Sequence, residues 1–136
     1  MEVKQLLGLD VGKKRIGIAR ASSLARLPEP LTTIKTAGAL KALQQIIKEH
    51  DMQIVVVGLP RNLQGYDTAQ TAWVQNWVDA AKKRIELPFY WQDEALTSIK
   101  AEGLRLKAKD QDIDALAAAI ILQDFLDAPE SERVPC

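Results

Sequence analysis

Two strand-like runs joined by a short acidic turn most constrain how this chain can fold. The first run, from Val3 to Leu9, is apolar and long enough for a strand buried on both faces. The chain then passes Asp10, turns through Gly12 and resumes as a second run from Ile16 to Ala19, close enough to pair as a hairpin. The pattern predicts an opening hairpin with a carboxylate anchored at the end of its first strand.

This anchored carboxylate has two interpretations. Asp10 can hold a divalent cation at the sheet edge, with Gly12 leaving room for a metal ion or a phosphate. Alternatively, Asp10 only hydrogen-bonds its own turn. The Asp-x-Gly pattern by itself leaves both readings open.

Length and composition limit the class of protein. The 136 residues suit one compact domain, which we predict over 1–128, with a polar tail over 129–136 that is expected to fray. Eighteen basic and eighteen acidic residues give a formal net charge of zero, which argues against a strongly basic, non-specific nucleic-acid binder. The lone cysteine, Cys136, rules out an internal disulfide and favours a reducing, cytoplasmic setting. We find neither a signal peptide nor a membrane span in the sequence, so no membrane association is expected.

The remaining patterns alternate between strands and helices. Pro28 and Pro30 indicate a loop before an edge strand at Leu31–Ile34. The later elements are predicted, in order, as a helix (39–49), a central strand (54–58), a helix ending near 85, a strand (87–91), a helix (98–106) and a last helix (112–127). This order predicts an α/β fold with a mixed sheet.

The last helix carries the most diagnostic residue. Asp114 shares a helical face with Ala118, Ile121 and Phe125, which should pack on the sheet. A carboxylate aimed at a core is costly unless it meets a cation or hydrogen-bond donors. Asp114 can instead serve only the helix dipole, but the neighbouring Asp112 can do that without facing the core. We therefore favour a functional role for Asp114.

Three acids have the chemistry of a metal site. Asp10 and Glu94 each follow a predicted strand, and Asp114 begins the last helix. Carboxylates without nearby cysteine or histidine favour hard cations such as Mg²⁺ or Mn²⁺. Two such ions would activate a water and stabilise the leaving oxygen in phosphodiester hydrolysis. The basic run after Asp10 would then grip a nucleic-acid backbone; it comprises Lys13, Lys14 and Arg15.

Two other patterns are interpreted structurally. Trp73 and Trp77 form a stripe that is more typical of a core or an interface than of a base-stacking platform. The basic run Lys82–Arg84 is interpreted as a solvated surface. If the chain forms a homodimer, the Trp73/Trp77 helix is the candidate interface.

Four motifs together resemble the YqgF/RuvX family, bacterial proteins described as candidate pre-16S rRNA nucleases and Holliday-junction-resolvase-like proteins. The motifs occur in family order and span nearly the whole chain: LGLDVGKKRIGIA (7–19), VVGLPRNLQG (56–65), DEALTS (93–98) and IDALAAAIILQ (113–123). The resemblance implies a ribonuclease H-like fold, a five-stranded mixed sheet with helices on both faces. Its first, fourth and fifth strands would lie side by side.

The same resemblance implies roles for particular residues. Asp10, Glu94 and Asp114 match the acidic metal-binding triad of the family. Lys14 and Arg15 match its basic turn, and Asn62 and Gly65 match the loop after its central strand. There are two departures: Ala95 stands where the family usually has arginine, and Ser22-Ser23 stand where it often has an acid. Ala95 puts substrate affinity in question, and Arg61 is a candidate to compensate as a phosphate contact.

The implied activity is that of a metal-dependent nuclease that processes the 5′ end of precursor 16S rRNA. Cleavage of branched DNA, as by a Holliday junction resolvase, is the alternative, and the sequence leaves RNA and branched DNA open. A non-catalytic nucleic-acid-binding protein acting in ribosome assembly or transcription is a further alternative. An ATP-binding domain of the actin and sugar-kinase type also begins with a strand and Asp-x-Gly, but such proteins need two domains.

Overall fold

A computed structural model describes the chain over residues 3–62, 64–93 and 112–136. Its strands are β1 (Gln5–Val11), β2 (Arg15–Ser22), β3 (Glu29–Lys35), β4 (Ile54–Leu59), β5 (Phe89–Asp93) and β6 (Val134–Pro135). Its helices are α1 (Ala39–His50), α2 (Ala69–Lys82) and α3 (Ile113–Asp127), followed by a 3-10 turn at Glu130–Glu132. Among these described helices, none is long and apolar enough to cross a membrane. The helix expected over 98–106 lies outside the described residues.

The strands form one mixed sheet in the order β3-β2-β1-β4-β5-β6. The first three strands are an antiparallel meander, and β4 and β5 run parallel to β1. In register, Leu9 of β1 pairs with Val57 of β4, and Val57 pairs with Trp91 of β5. The predicted adjacency of the first, fourth and fifth strands is therefore confirmed, and their carboxyl ends share one edge of the sheet.

Each face of the sheet carries its own hydrophobic core, because side chains alternate along a strand. Leu7 and Leu9 of β1 pack with α1 and α2 on one face. Leu6 of β1 and Val56 of β4 pack with α3 on the other face. Asp10 belongs to the same alternate series as Leu6, so its side chain lies on the α3 face.

Small residues allow α3 to lie directly on the sheet. A Cβ atom at Gly8 would stand 2.5 Å from Leu122 Cγ, and one at Gly17 would stand 1.9 Å from the carbonyl oxygen of Asp114. On the helix side, Ala118 is fully buried. The glycines of the opening hairpin therefore fix how closely the last helix approaches β1 and β2.

The expectation of a frayed tail and a five-stranded sheet is wrong. Val134 and Pro135 form β6, which pairs with Trp91 and Tyr90 of β5, and the Cys136 N–H donates to the Phe89 carbonyl at 2.9 Å. Without this segment, the outer edge of β5 would present unpaired backbone groups. The tail therefore forms a strand although its sequence is polar, because backbone pairing with β5 stabilises it.

The proline-rich segment also differs from its prediction, because the loop expected at Pro28–Pro30 ends earlier. Strand β3 already begins at Glu29, and Pro30 pairs with Ala19 at a register shift between Ile18 and Ala19. β3 is an edge strand, as predicted, and an edge position tolerates a residue that has no N–H to donate.

Candidate metal and nucleic-acid site

Asp10 lies near the carboxyl end of β1, opposite Gly17 of β2 in the antiparallel pair. Residues directly opposite in such a pair direct their side chains to the same face. A Cβ at Gly17 would run into the first turn of α3. The half-buried Asp10 is thus placed beside the start of α3.

Asp114 is the second residue of α3, and its position depends on the helix cap. The Asp112 side chain caps the helix by accepting from the backbone N–H of Asp114 at 3.0 Å and of Ala115 at 3.4 Å. Asp10 is the neighbour of Gly17 in the sheet, and the backbone of Asp114 lies over the same glycine. The close packing of α3 therefore places two of the three acids that the sequence singled out next to one glycine.

The environment of Asp114 differs in one respect from the expectation. The face that it shares with Ala118, Ile121 and Phe125 is buried, as predicted. Asp114 itself remains 27% exposed at the rim and forms an ion pair with Arg15, whose Nε lies 3.0 Å from Oδ2. The carboxylate thus meets a cation at the edge of the core, because it lies in the first turn of the helix.

The turn between β1 and β2 presents the basic residues. The Gly12 N–H donates to the Arg15 carbonyl at 2.8 Å, and the Thr36 hydroxyl donates to the Gly12 carbonyl at 2.6 Å. A Cβ at Gly12 would stand 2.8 Å from that same Arg15 oxygen, so only glycine fits this turn without a shift. Lys13 and Lys14 are exposed at its tip.

A cavity of about 330 Å³ lies between this turn and α3. Its walls are Gly12, Lys13, Lys14, Arg15, Gln70 and Asp114. Three cationic side chains and one carboxylate in the same small space suit a phosphate group next to a bound cation. The predicted basic turn and one predicted acid therefore belong to a single concave site.

Sequence reasoning missed Gln70. It is the second residue of α2, which starts with a capping box between Thr68 and Thr71. The Thr71 hydroxyl also donates to the Pro60 carbonyl, which ties the start of α2 to the loop after β4. The position of Gln70 in the sequence could have indicated its role, because the first turn of the helix that follows β4 lies at the carboxyl edge of the sheet.

Arg61 and Asn62 form a neighbouring cluster that does not contribute to the wall of this cavity. Arg61 is held by two carboxylates: its Nε lies 3.0 Å from Asp67 Oδ1 and its Nη1 lies 3.2 Å from Asp93 Oδ2. Asn62 Oδ1 accepts from the backbone N–H groups of Gln64 and Tyr66, each at 3.0 Å. Both residues therefore organise the loop after β4 in the structure, and their contact with nucleic acid stays a prediction.

Glu94 follows Asp93, the last residue of β5, and lies outside the described residues, as does Ala95. Within the described ranges, no group of three Asp, Glu, His or Cys side chains is assembled for a metal. The two acids that are described fit a hard divalent cation, because they offer carboxylate oxygens and Asp114 already holds the positive guanidinium of Arg15.

The tryptophan stripe and the single histidine both have structural explanations. Trp73 and Trp77 pack against the core on the α1/α2 face, which supports their interpretation as core residues. His50 ends α1, and its Nδ1 lies 2.9 Å from Arg20 Nη1.

Comparison with protein families gives a match over residues 4–128 to the model described as RuvX, Holliday junction resolvase. Curated relatives match over most of their length. A protein of Roseiflexus sp. (strain RS-1) is 39% identical, with 93% of this chain and 96% of the relative covered. One from Chloroflexus aggregans is 41% identical, with 94% and 96% covered. Both are named as candidate pre-16S rRNA nucleases.

Solved structures confirm the fold. The structure of T. thermophilus RuvC in complex with a Holliday junction substrate superposes with a TM-score of 0.64 at 17% identity, covering 98% of this chain and 99% of that one. A second T. thermophilus RuvC structure gives a TM-score of 0.59 at 16% identity, with 97% and 99% covered. The predicted ribonuclease H-like fold is confirmed, with a sixth strand added by the tail.

Proposed function

This chain belongs to the RuvX family, and from that premise we propose that it is a metal-dependent nuclease that hydrolyses phosphodiester bonds. The observation that carries the proposal is that Asp10 pairs with Gly17 across the hairpin while the backbone of Asp114 lies over the same glycine, beside a cationic turn. Acids that hold a metal next to cations that hold a phosphate are what such a reaction requires.

In this proposal the acids are the metal ligands. Asp10 and Asp114 bind from β1 and α3, and Glu94 joins them from the segment that directly follows β5 in the sequence. Bound Mg²⁺ or Mn²⁺, as a pair of ions, supplies an activated water and stabilises the leaving oxygen. The role of the protein is to hold these carboxylates in a fixed arrangement, and the contact between α3 and Gly17 provides that rigidity.

The cations around the cavity bind the nucleic acid. Lys13 and Lys14 are exposed and can reach backbone phosphates. Arg15 lies closest to the acids, because it already pairs with Asp114. Gln70 can donate its side-chain amide to a phosphate oxygen from the opposite wall. Arg61 and Asn62 are proposed as more distant contacts at the same edge of the sheet.

The substrate that we propose is the 5′ end of precursor 16S rRNA, in the cytoplasm. Relatives with that name share about 40% of their residues with this chain over more than nine tenths of its length. Branched DNA is the second candidate, favoured by the family description and by the fold shared with RuvC. Symmetric cutting of a four-way junction needs two active sites, so that candidate also requires a homodimer.

The test compares wild type with Asp10→Asn and Asp114→Asn. Each is incubated with Mg²⁺ or Mn²⁺ and with four labelled substrates: single-stranded RNA, single-stranded DNA, a precursor-16S-like RNA and a four-way DNA junction. Asp79→Asn is the matched control, because Asp79 is an exposed acid on α2. The proposal predicts cutting that needs metal, disappears in both site variants and persists in the control.

Other outcomes separate the alternatives. Preferential cutting of the precursor RNA supports the ribosomal role, and preferential cutting of the junction supports the resolvase. Cutting that persists in both site variants contradicts the acid site. Binding of nucleic acid without any cutting contradicts the enzyme and leaves the non-catalytic assembly or transcription factor.

A further inference from the structure

A second cavity lies at the opposite end of the sheet from the acids. It has a volume of about 380 Å³ and opens beside the start of β1 and the end of α3. Leu126, in its wall, is twelve residues along α3 from Asp114, which corresponds to about 18 Å at 1.5 Å per residue. This far-end cavity is therefore separate from the proposed active site.

Positive charge is concentrated in the far-end cavity although the chain as a whole is neutral. Lys4, Arg26 and Arg133 contribute three cations, and Glu130 contributes one carboxylate. Glu130 is 86% exposed, and its Oε1 lies 3.9 Å from Arg133 Nη1, so it neutralises the cavity only weakly. Even without Lys4, the two guanidinium groups outnumber the one carboxylate of the lining, which favours an anion.

Arg133 is the key residue of this cavity. Its guanidinium lies 4.4 Å from the ring centroid of Phe125, a cation–π contact that fixes its orientation. Its Nε atom is buried and has no hydrogen-bond partner among the described residues. A buried donor without an acceptor is unfavourable. Because that atom has no exposed surface, a ligand would reach Arg133 through the part of its side chain that lines the cavity, which is 21% exposed.

Arg26 is also held in a fixed position. Its backbone lies in the left-handed region at φ 56°, where a residue other than glycine is strained. Its N–H donates to the Ser22 carbonyl at 2.9 Å, and its guanidinium donates to the Leu126 carbonyl. Contact with Leu126 stabilises the carboxyl end of α3, which has no basic residue in its last turn. Capping of α3 thus explains where the Arg26 side chain lies. It supplies no acceptor for the buried Nε atom of Arg133.

The remaining walls indicate what else the ligand contains. The Ser23 hydroxyl accepts the Lys4 N–H at 2.8 Å and has its own hydrogen to donate. Leu6, Ile54 and Leu126 give the cavity an apolar floor. The volume exceeds that of a single phosphate and lies in the range of small-ligand sites. An anion that carries an organic group suits both the cationic walls and the apolar floor of the cavity.

We propose that the far-end cavity binds a phosphomonoester, with its phosphate on Arg133, Arg26 and Lys4 and its organic group over the apolar floor. Two sources share this chemistry, a free mononucleotide and the phosphorylated end of a nucleic-acid chain. Binding here needs no metal and does not depend on the proposed nuclease activity.

The test is calorimetric titration of the full chain in EDTA, so that metal-dependent binding at the acids does not contribute. The probes are inorganic phosphate, a nucleoside 5′-monophosphate, the nucleoside, and an oligonucleotide with and without a 5′-phosphate. We expect saturable binding of the monophosphate, weaker binding of inorganic phosphate and none of the nucleoside. Tighter binding of the oligonucleotide with a 5′-phosphate than of the one without it, lost in Arg133→Met, identifies the chain end as the source, and equal binding of the two oligonucleotides identifies the free nucleotide.

Variants assign the binding to this cavity. Arg133→Met keeps apolar contact with Phe125 and should weaken the monophosphate by about tenfold. Glu130→Gln removes an exposed carboxylate and should raise the affinity for the monophosphate about twofold. This second variant keeps the test valid if Arg133→Met folds poorly. Lys41→Gln, an exposed lysine on α1, should change nothing. Equal affinity for phosphate and monophosphate, no saturable binding, or a loss in Lys41→Gln but not in Arg133→Met would overturn the proposal.

Discussion

Arg15 and Asp114 show, at the scale of single residues, how the candidate site balances its charges. Their ion pair joins the basic turn to the first turn of α3, with Arg15 67% and Asp114 27% exposed. A metal cation bound by Asp114 would compete with this guanidinium for the same carboxylate. Arg15 is therefore expected to oppose metal binding while it favours phosphate binding.

Replacing Arg15 should separate these two effects. In Arg15→Gln we expect Mn²⁺ to bind up to about fivefold more tightly, because an exposed ion pair is worth ~0.2–1 kcal/mol. Nucleic-acid affinity should fall at the same time. Mn²⁺ binding can be followed by electron paramagnetic resonance in the absence of nucleic acid.

Lys14→Gln is the matched control for that experiment, because Lys14 lines the same cavity from the tip of the turn. This variant should weaken the binding of nucleic acid without tightening the binding of Mn²⁺. Unchanged Mn²⁺ affinity in Arg15→Gln would show that the Arg15–Asp114 pair does not compete with the metal.

At the scale of elements, two glycines set the contact between α3 and the hairpin. Gly17 lies under the helix start at Asp114, and Gly8 lies under Leu122, two turns further along. Both contacts contribute to packing. Only the first one positions an acid.

Gly17→Ala and Gly8→Ala should therefore have different consequences. Overpacking of this kind costs about 1–3 kcal/mol, so both variants should lower the free energy of unfolding measured by urea denaturation. Gly17→Ala should also weaken Mn²⁺ binding, since the new Cβ meets backbone atoms of Asp114. In Gly8→Ala the new Cβ meets the buried Leu122 side chain and the Ala118 carbonyl oxygen, which lie two turns and one turn away from Asp114, so this variant should retain Mn²⁺ affinity. Equal losses of Mn²⁺ affinity in both would argue against a positional role for Gly17.

The added strand β6 can be monitored through its neighbouring thiol. Burial raises the pKa of Cys136 to about 12 from 9.0, with Lys82 acting in the opposite direction. Because docking favours the neutral thiol, its stabilisation is complete below the ordinary pKa and is lost as pH rises from 9.0 towards about 12. The tail should therefore detach progressively in alkaline solution.

Thiol labelling at pH 8 measures this docking directly. We expect Cys136 to react at least about tenfold more slowly than a cysteine in a short peptide, because the thiolate is the reactive form. Lys82→Ala removes the hydrogen bond from Nζ to the Cys136 carbonyl at 2.7 Å and should accelerate labelling. Lys83→Ala, an exposed neighbour, should not. Peptide-like reactivity in wild type would contradict the docked tail.

Over the whole molecule, the regular elements could be predicted because they depend on local patterns. The opening hairpin and the edge position of Leu31–Ile34 follow from apolar periodicity and turn residues, and the adjacency of the three parallel strands was implied by the family resemblance. Asp10 was recognisable because it follows an apolar run typical of a strand that is buried on both faces.

Contacts between distant side chains could not be predicted in the same way. The ion pairs of Arg61 with Asp67 and Asp93 depend on which neighbours the folded chain brings within reach. The same holds for Gln70 in the cavity wall and for β6, whose polar sequence gives no strand pattern. Such features are consequences of the fold and leave little local signal.

A chain with zero formal net charge that binds nucleic acid through the cationic turn should show only a modest dependence of binding on salt. Three phosphate contacts from the turn predict a slope of about −2 for log affinity against log salt on single-stranded RNA, at about −0.7 per contact. The double variant Lys13→Gln, Lys14→Gln should reduce the steepness by about 1.4, and Lys83→Gln should not change it. Fluorescence anisotropy measures these slopes. A loss of slope in Lys83→Gln alone would relocate binding to the Lys82–Arg84 surface.

The proposed metal site can be tested with a crystal structure of the protein grown with Mn²⁺, read from its anomalous difference map. We expect Mn²⁺ peaks within coordination distance of carboxylate oxygens of both Asp10 and Asp114, with the Arg15 guanidinium displaced from Asp114. Full occupancy elsewhere on the chain, with the Arg15–Asp114 ion pair intact, would contradict the proposed site.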